Sequence, residues 1–570
     1  YELEYLISTT AILPLDPTSG INAETISDAD KKLEAMPPMA PAEITKYFPS
    51  TGGRGDIGIY PRWVSNYLIT QTEAARRVMM SNADAGGAVP WHYIDERTNA
   101  PISIEIRPKF WADERGLEDR YRPDQPNSDI FASSDGGWSP DHSHKPDLFY
   151  IPYLISADHY YADELAMQAA WAIFGRWPAL RMGGLKAIDV EQVRASAWSL
   201  RDISNAAWAL PDTHPSKKYL ERALDQNLTL MKEKYIDRRE FSGAGELEGY
   251  FEESVYGDPE RISPWQNDYV VLALWLEARR GNKAATELMA WTENFHTGRY
   301  LDFREDYANA YRFPAKGPDG KTLVTQWSAL ADKIKNSPDA NDEGTAGYGG
   351  LAYGYVSSAQ AALMALASTS ASPRSLEALA ISLKRNRHNR VWEPYAPGSV
   401  KRYNNFFFTL SDEKETIIDR DHISFGKNGD EKSNFIIGSD GNDSVTGDSG
   451  NDYIIGLDGD DTLEGGAGND RLVVGSGDDN LSGGPGQDVF AFAYRAHSSQ
   501  LGNKEITDFD SSEDRLHFSS EIFPSFKALQ SATRNGPHGA IIELPRNTGQ
   551  ITLKGVSADE ISPRQILIAQ

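Results

Sequence analysis

Gly438-Ser-Asp-Gly-Asn-Asp-Ser-Val-Thr446, Gly447-Asp-Ser-Gly-Asn-Asp-Tyr-Ile-Ile455 and Gly456-Leu-Asp-Gly-Asp-Asp-Thr-Leu-Glu464 are successive units of nine residues. Three more follow: Gly465-Gly-Ala-Gly-Asn-Asp-Arg-Leu-Val473, Val474-Gly-Ser-Gly-Asp-Asp-Asn-Leu-Ser482 and Gly483-Gly-Pro-Gly-Gln-Asp-Val-Phe-Ala491. The fourth place is always glycine: Gly441, Gly450, Gly459, Gly468, Gly477 and Gly486. The sixth is always aspartate: Asp443, Asp452, Asp461, Asp470, Asp479 and Asp488. The eighth is always apolar, from Val445 to Phe490, and Asn434 and Ile436 mark an earlier, degenerate copy. Glycine permits the positive φ and close approach of a tight turn. Three residues then make a short strand with one inward apolar side chain. A single unit cannot bury that side chain, so successive units must stack. Stacking crowds the turn aspartates, and a hard cation taking six to eight oxygens relieves the repulsion. Calcium binding and folding of this module are therefore coupled.

Working outward, residues 438–491 hold twelve Asp or Glu and one Arg, much of the chain's net charge of −26. That balance disfavours nucleic acid and anionic membrane as partners. There is no cysteine, so no disulfide staples the small parts. No apolar run reaches the ~20 residues of a membrane helix. All tryptophans lie between Trp63 and Trp392, while glycine and aspartate dominate after about residue 425. Four segments are expected: an extension over 1–45 with a strand at Tyr1–Ser8, a helical domain over 46–412, a linker over 413–429 and the repeat module over 430–570.

Apolar residues recur every three or four positions over 61–83, 147–176, 188–211, 215–236, 264–281, 282–296, 355–370 and 373–385. Pro61, Pro215 and Pro264 mark helix starts, and Gly281 separates two helices. Helices joined by short turns suggest stacked αα-hairpins. A hairpin is expected in the irregular stretch 86–140, pairing Val89–Tyr93 with Ile102–Arg107.

The repeats resemble the RTX nonapeptides of proteins exported by Gram-negative type I secretion. The tail agrees: Asp488-Val-Phe-Ala-Phe492, Ile506-Thr-Asp-Phe-Asp510 with Asp514, and Ile551-Thr-Leu-Lys-Gly-Val556 resemble the β-roll cap of RTX proteases, lipases and alginate epimerases. The resemblance covers roughly residues 430–570. It implies a parallel β-roll, several calcium ions, a further calcium at Asp508 and Asp510, and an extracellular or cell-surface destination. The family's secretion signal lies in the last residues and travels uncleaved, which is expected to account for the lack of an N-terminal one here. Val474 departs from the pattern, standing where glycine is usual.

The tail does not name an activity. H-E-x-x-H, G-x-S-x-G and a Walker loop are all absent from the sequence, which sets aside the zinc proteases, lipases and P-loop enzymes. The helical pairs resemble, at fold level only, the (α/α) toroids of glycoside hydrolases and polysaccharide lyases. The expected architecture is thus a helical, (α/α)-toroid-like domain followed by a parallel β-roll, and the expected partner an extracellular polysaccharide.

Four clusters are candidates for chemistry. Asp141, His142 and His144, with Asp147, stand ahead of a helix and suit proton transfer, metal binding or simple capping. Trp198, Arg201, Asp202 and Asn205 share one helix face, as a substrate surface or as a buried ion pair. Trp265, Gln266, Asp268 and Tyr269 open a helix after Pro264. Trp91, His92 and Tyr93 form either a loop over a groove or an aromatic plug. A lyase would use Arg194 or Arg201 against a uronate carboxylate, with His142, His144, Tyr93 and Tyr269 moving protons. A hydrolase would use two of Asp141, Asp202 and Asp268. Lyase chemistry is favoured. A calcium-dependent surface or adhesive glycan-binding protein is the non-enzymatic alternative.

Overall fold

The computed structural model describes residues 2–569 except 16–20, 22, 38–39, 41–42, 50–54, 114–128, 133–137, 177, 179–180, 182–187, 189–191, 239–244, 252–257, 304–307, 309–311, 337–351, 371, 387–409, 412–416, 419–421, 427 and 494–499. The chain forms two compact units. The first comprises Tyr1–Thr292, Asn309–Ala359 and Glu393–Phe407; the second comprises Glu293–Ala308, Gln360–Trp392 and Phe408–Gln570. Among the described residues no helix is long and apolar enough to cross a membrane.

The helices are α1 (Leu3–Ser8), α2 (Ala23–Glu34), α3 (Arg62–Thr70), α4 (Glu73–Gly86), α5 (Tyr150–Ser156), α6 (His159–Phe174), α7 (Val193–Ala209), α8 (Lys217–Lys232), α9 (Pro264–Arg279), α10 (Lys283–Leu301), α11 (Trp327–Lys335), α12 (Ala352–Ser370) and α13 (Pro373–Asn386). Every residue of α7 from Val193 to Ala207 is buried, as is every residue of α9 from Pro264 to Glu277. Helix α8 instead buries one stripe, Tyr219, Leu220, Ala223, Leu224, Leu228 and Met231. A helix buried all round is central to its unit, and a one-stripe helix lies outside it. Helix α7 packs on α6, α8 and α9, giving an inner and an outer layer.

Several expectations need correction. Tyr1–Ser8 is not a strand: α1 buries Leu3 and Leu6, one helical turn apart, and leaves Tyr5 exposed. Residues 1–45 do not stand apart as an extension. Ile12 and Leu13 are wholly buried, and the Ala11 carbonyl accepts the Tyr150 hydroxyl at 2.5 Å. The segments 61–83 and 147–176 each break into two helices, at Gln71 (φ 51°) and Ala157 (φ 54°). Thr72 and Asp158 then cap the next helix, Asp158 accepting from the Tyr160 amide at 2.9 Å. The hairpin in 86–140 is shorter and shifted: β1 (Ile94–Asp95) pairs antiparallel with β2 (Ala100–Pro101). Arg97 and Arg107 both bind the Asp95 carboxylate across it.

Small pairs follow, β3 (Phe110–Asp113) parallel to β4 (Asp129–Ala132) and β5 (Leu410–Ser411) antiparallel to β6 (Ile417–Ile418). The roll itself begins within the expected linker, at β7 (Ile423–Phe425), and most of the rest of 413–429 lies outside the described residues. It continues through β8 (Phe435–Ile437), β9 (Ser444–Thr446), β10 (Tyr453–Ile455), β11 (Thr462–Glu464), β12 (Arg471–Val474), β13 (Asp479–Ser482), β14 (Val489–Phe492), β15 (Lys504–Ile506) and β16 (Arg515–Ser519). From β8 to β16 successive strands alternate between two seven-stranded sheets, so a full turn takes two nonapeptides. Helix α14 (Phe526–Ser531) and strands β17 (Thr533–Asn535), β18 (Gly539–Glu543), β19 (Gln550–Lys554) and β20 (Ile566–Ala569) complete the module.

The first sheet runs β20-β16-β14-β12-β10-β8-β7 and the second β17-β18-β19-β15-β13-β11-β9. Ile436, Ile454, Leu472, Phe490 and Leu516 line up across one sheet, and Val445, Leu463, Leu481, Ile506 and Leu553 across the other. All belong to one core. Each such side chain is worth about 1.5–3 kcal/mol when buried, and only the stack buries it. The sheets differ on their outer faces. Strands β8 and β10 are buried throughout, whereas β11 alternates exposed, buried, exposed. Helix α13 packs against β10, β12 and β16 of the first sheet, so that part of the helical sequence belongs to the same compact unit as the roll.

Candidate functional site

The turns of the roll form two columns. In the column entering the first sheet, the Asn434 amide donates to Asp452 Oδ1 at 2.7 Å and the Asp452 amide to Asp470 Oδ1 at 2.8 Å. Asp470 then donates to Asp488 Oδ1 at 2.8 Å and Asp488 to Asp514 Oδ1 at 2.9 Å. In the other column the Asp443 amide donates to Asp461 Oδ1 and the Asp461 amide to Asp479 Oδ1, both at 2.9 Å. Asp452, Asp461, Asp470, Asp479 and Asp488 thus each spend one oxygen on the neighbouring turn.

The second oxygen is different. Oδ2 of Asp452, Asp461, Asp470 and Asp488 is buried with no hydrogen-bond donor. A Cβ placed on Gly465 would stand 2.4 Å from Asp470 Oδ2 and 2.6 Å from the Gly483 carbonyl oxygen. Glycine at the first place therefore leaves a gap where a carboxylate oxygen and a carbonyl oxygen of the next turn converge. Burial pushes Asp452 up to about 8, Asp461 and Asp488 to about 7, and Asp470 to about 6. Carboxyl groups crowded out of water beside carbonyls are costly to ionise alone, and a hard divalent cation bound among them would favour their ionised form. Among the described residues no three His, Asp or Glu side chains are grouped to hold a metal ion by themselves, so main-chain carbonyls and water would complete the ligand set.

The fourth-place glycines hold the turns together. Gly468 has φ +144° and Gly486 +153°, and a Cβ on either would strike the carbonyl of the glycine eighteen residues earlier, at 1.8 and 1.7 Å. Gly459 and Gly477 repeat this, and Gly450 does so against the Lys432 carbonyl, while Gly441, in the first complete repeat, has open space around it.

Other expected ligands are occupied differently. Asp443 Oδ2 accepts from the Ser439 amide and hydroxyl at 2.6 and 2.9 Å. Asp508 receives the Gly483 and Gly484 amides at 3.0 and 2.9 Å and the Ser482 hydroxyl at 2.6 Å, and so plugs the end of a turn. Asp510 accepts from the Ser512 amide and hydroxyl. The residue in register with the aspartate column is Asp514, whose Oδ2 accepts the Asp510 amide at 2.8 Å. Its offset of 26 residues from Asp488 hides it from a nine-residue count.

In the helical unit the candidates separate into two sets. One is structural. Trp91 is fully buried against Phe149 and Trp171, and Tyr93 packs on Phe110 and Phe174. His92 Nε2 meets Glu164 at 2.8 Å. His142 is 1% exposed and stacks on Trp171 at 4.1 Å, and burial beside Arg176 and Lys145 holds it well below the usual histidine range. Asp202 is wholly buried between Arg201 at 2.8 Å and Lys145 at 3.0 Å. Arg201 also donates to the Gly58 and Lys145 carbonyls and lies over Trp198. Trp91, His142, Arg201 and Asp202 are thus buried, whereas Tyr93 is half-buried and His92 is exposed. The Lys145 partner, 57 residues from Asp202, was not readable from the sequence.

The other set converges. His144 Nδ1 bonds the Asp141 carboxylate, and Arg194 Nη2 stands 2.8 Å from His144 Nε2. A guanidinium only donates, so Nε2 is the acceptor and Nδ1 carries the proton. Burial alone would raise Asp141, but hydrogen bonds from His144 and the Ser143 amide, with the Arg194 charge nearby, hold the carboxyl below its ordinary value. Arg194 lies over the Trp265 ring at 5.1 Å, and its amide donates to Gln266 Oε1 at 2.9 Å. Tyr269 packs on Trp265 and Trp198. Asp268 is fully buried and accepts from Ser358 at 3.3 Å. The N-terminal ends of α7 and α9 thus bring Asp141, His144, Arg194, Trp265, Gln266 and Tyr269 together.

A stacked parallel roll with buried carboxylates in glycine turns defines a calcium-binding repeat module. The family model for the RTX calcium-binding nonapeptide repeat matches residues 428–463 and again 455–490. The chain therefore carries RTX repeats over 428–490, and calcium is their ion. Similar solved structures include the extracellular lipase LipA from Serratia marcescens, 20% identical with a TM-score of 0.14 over 24% of this chain and 40% of the lipase. Another is the AlgE6R3 subunit of the Azotobacter vinelandii mannuronan C5-epimerase, 28% identical with a TM-score of 0.14 over 24% of this chain and 80% of that subunit. The matched region thus spans less than half of the lipase. No curated protein matches the chain.

Proposed function

We propose that this is an extracellular protein of a Gram-negative bacterium, exported by type I secretion, whose helical unit is an (α/α) toroid that cleaves an acidic polysaccharide by elimination. The observation that supports the chemistry is the Asp141–His144–Arg194 chain. Asp141 fixes the imidazole so that Nε2 is the basic nitrogen. Arg194 covers that nitrogen in the free protein. A uronate carboxylate binding Arg194 draws the guanidinium away and frees Nε2 for the proton beside the carboxylate. The electron pair of that C–H bond forms the new double bond, the glycosidic bond breaks, and its oxygen leaves with a proton from Tyr269. Hydrolysis is less favoured because Asp202 is already neutralised by Lys145 and Arg201.

The experiment is to incubate the calcium-loaded protein with uronate-rich and neutral polysaccharides, following unsaturated-uronate absorbance and reducing ends. Both signals rising, and both lost in His144→Ala, is the expected result. New ends without absorbance mean a hydrolase. A calcium-dependent glycan-binding or adhesive role is the second reading, favoured by the burial of His142 on Trp171, which removes one of the candidate proton carriers. It predicts retained binding with neither signal.

A further inference from the structure

Val474 breaks the repeat at a first place otherwise held by glycine, and Asp479 is the sixth-place aspartate of that same repeat. At Gly447, Gly456, Gly465 and Gly483 a Cβ would collide with the free Oδ2 of that repeat's own aspartate, at 2.2–2.4 Å. Val474 instead extends β12 by one residue, pairs with Phe492 and is 1% exposed. The aspartate of this repeat also behaves unlike its equivalents. Asp479 Oδ2 is not left without a donor: Lys504 Nζ lies 2.6 Å from it.

Lys504 stands in the aspartate column itself. The registers of β9, β11, β13 and β15 place Asp443, Asp461, Asp479 and Lys504 side by side. Its side chain is 2% exposed, and its three N–H groups have three acceptors: Asp479 Oδ2, the Gly475 carbonyl at 2.9 Å and the Gly477 carbonyl at 2.6 Å. One carboxylate oxygen and turn carbonyls are the same kinds of ligand that converge in the neighbouring turns.

We propose that the Lys504 ammonium is a built-in cation standing in for calcium in the turn 474–479, so that this column of sites is closed by the chain itself. Two departures thirty residues apart, Val474 and Lys504, then have one cause. The turn needs no gap for an ion because its charge is compensated from the next strand. That compensation is one a chelator cannot remove.

The test counts calcium bound per full-length chain, by equilibrium dialysis against radioactive calcium, and pairs it with thermal melting at saturating calcium. Asp479→Asn is expected to bind as many ions as the parent, whereas Asp461→Asn binds fewer. Lys504→Met is expected to lower the melting temperature of the roll, and adding Asp479→Asn to it to recover much of the loss, because the two charges then leave together. Should a single variant fail to fold, the double variant K504M/D479N gives the count, which is expected to equal the parent's. Loss of an ion in Asp479→Asn or in the double variant overturns the proposal, as does independence of the two substitutions in melting.

Discussion

The amide of Asp443 donates to Asp461 Oδ1 at 2.9 Å, while Asp461 Oδ2, on the same carboxylate, is buried with no donor. Its neighbour Asp460 does another job: Asp460 Oδ1 accepts the Asp478 amide at 2.8 Å near the surface. An amide oxygen can accept a hydrogen bond but is a poorer calcium ligand than a carboxylate. We expect Asp460→Asn to leave calcium affinity and melting nearly unchanged. Asp461→Asn should weaken calcium binding at its turn at least tenfold, about 1.4 kcal/mol. Titration calorimetry on the two variants separates the roles of adjacent aspartates.

Glycine at the fourth place makes a sharper contrast. Gly468→Ala combines a disfavoured φ of +144° with a methyl 1.8 Å from the Gly450 carbonyl. Gly441 has no positive φ among its constraints, and its nearest outside atom is Ser439 Oγ at 3.9 Å. We expect Gly468→Ala to prevent folding of the roll or to cost several kcal/mol, and Gly441→Ala to be tolerated within about 0.5 kcal/mol. Calcium-dependent circular dichroism of both variants is sufficient to check this.

The contrast shows what a repeat makes legible. Turn glycine, ligand and inward apolar residue recur every nine positions, so the roll's chemistry can be read locally. The two-strand period is also written there: Ile455, Val473 and Ala491 hold the ninth place in the repeats of the covered sheet, and Thr446, Glu464 and Ser482 in those of the open one. Counting by nine averages that difference away. In the helical unit, periodicity reveals helices but not their breaks, because Gln71 and Ala157 take the left-handed conformation without being glycine. Nor does periodicity reveal pairing over distance. His142 and His144 look equivalent in sequence, yet one stacks on Trp171 and the other meets Asp141 and Arg194.

Calcium removal should reach beyond the repeats. Helix α13 packs against β10, β12 and β16, within one compact unit. Its stability therefore depends on a sheet that calcium holds together. In chelator, we expect amide protons of Pro373–Asn386 to lose protection together with β8–β16. Val193–Ala207, in the first unit, should keep theirs. Hydrogen exchange followed by mass spectrometry resolves the segments. Continued protection of α13 in unfolded-roll conditions would show that the helix stands without the sheet.

The first unit carries its own pH dependence, independent of calcium. His142 is buried against Trp171, and burial with the nearby Arg176 and Lys145 charges drives its pKa well below the ordinary 6.5. The unfolded chain takes up a proton near pH 6.5 and the folded one does not, so stability is full above that value and falls as the pH drops below it. The slope approaches about 1.4 kcal/mol per pH unit for one proton. Asp147 works in the opposite sense: burial raises it to about 6, so folding gains as the pH falls from 6 toward 4. Replacing His142 isolates its share, since a phenyl ring keeps the stacking and cannot bind a proton. We expect the difference in unfolding free energy between His142→Phe and the parent to shift toward the variant as the pH is lowered from 7 to 5, measured by denaturant titration at fixed calcium. A difference independent of pH would mean that the imidazole takes up its proton as readily in the folded protein as in the unfolded chain.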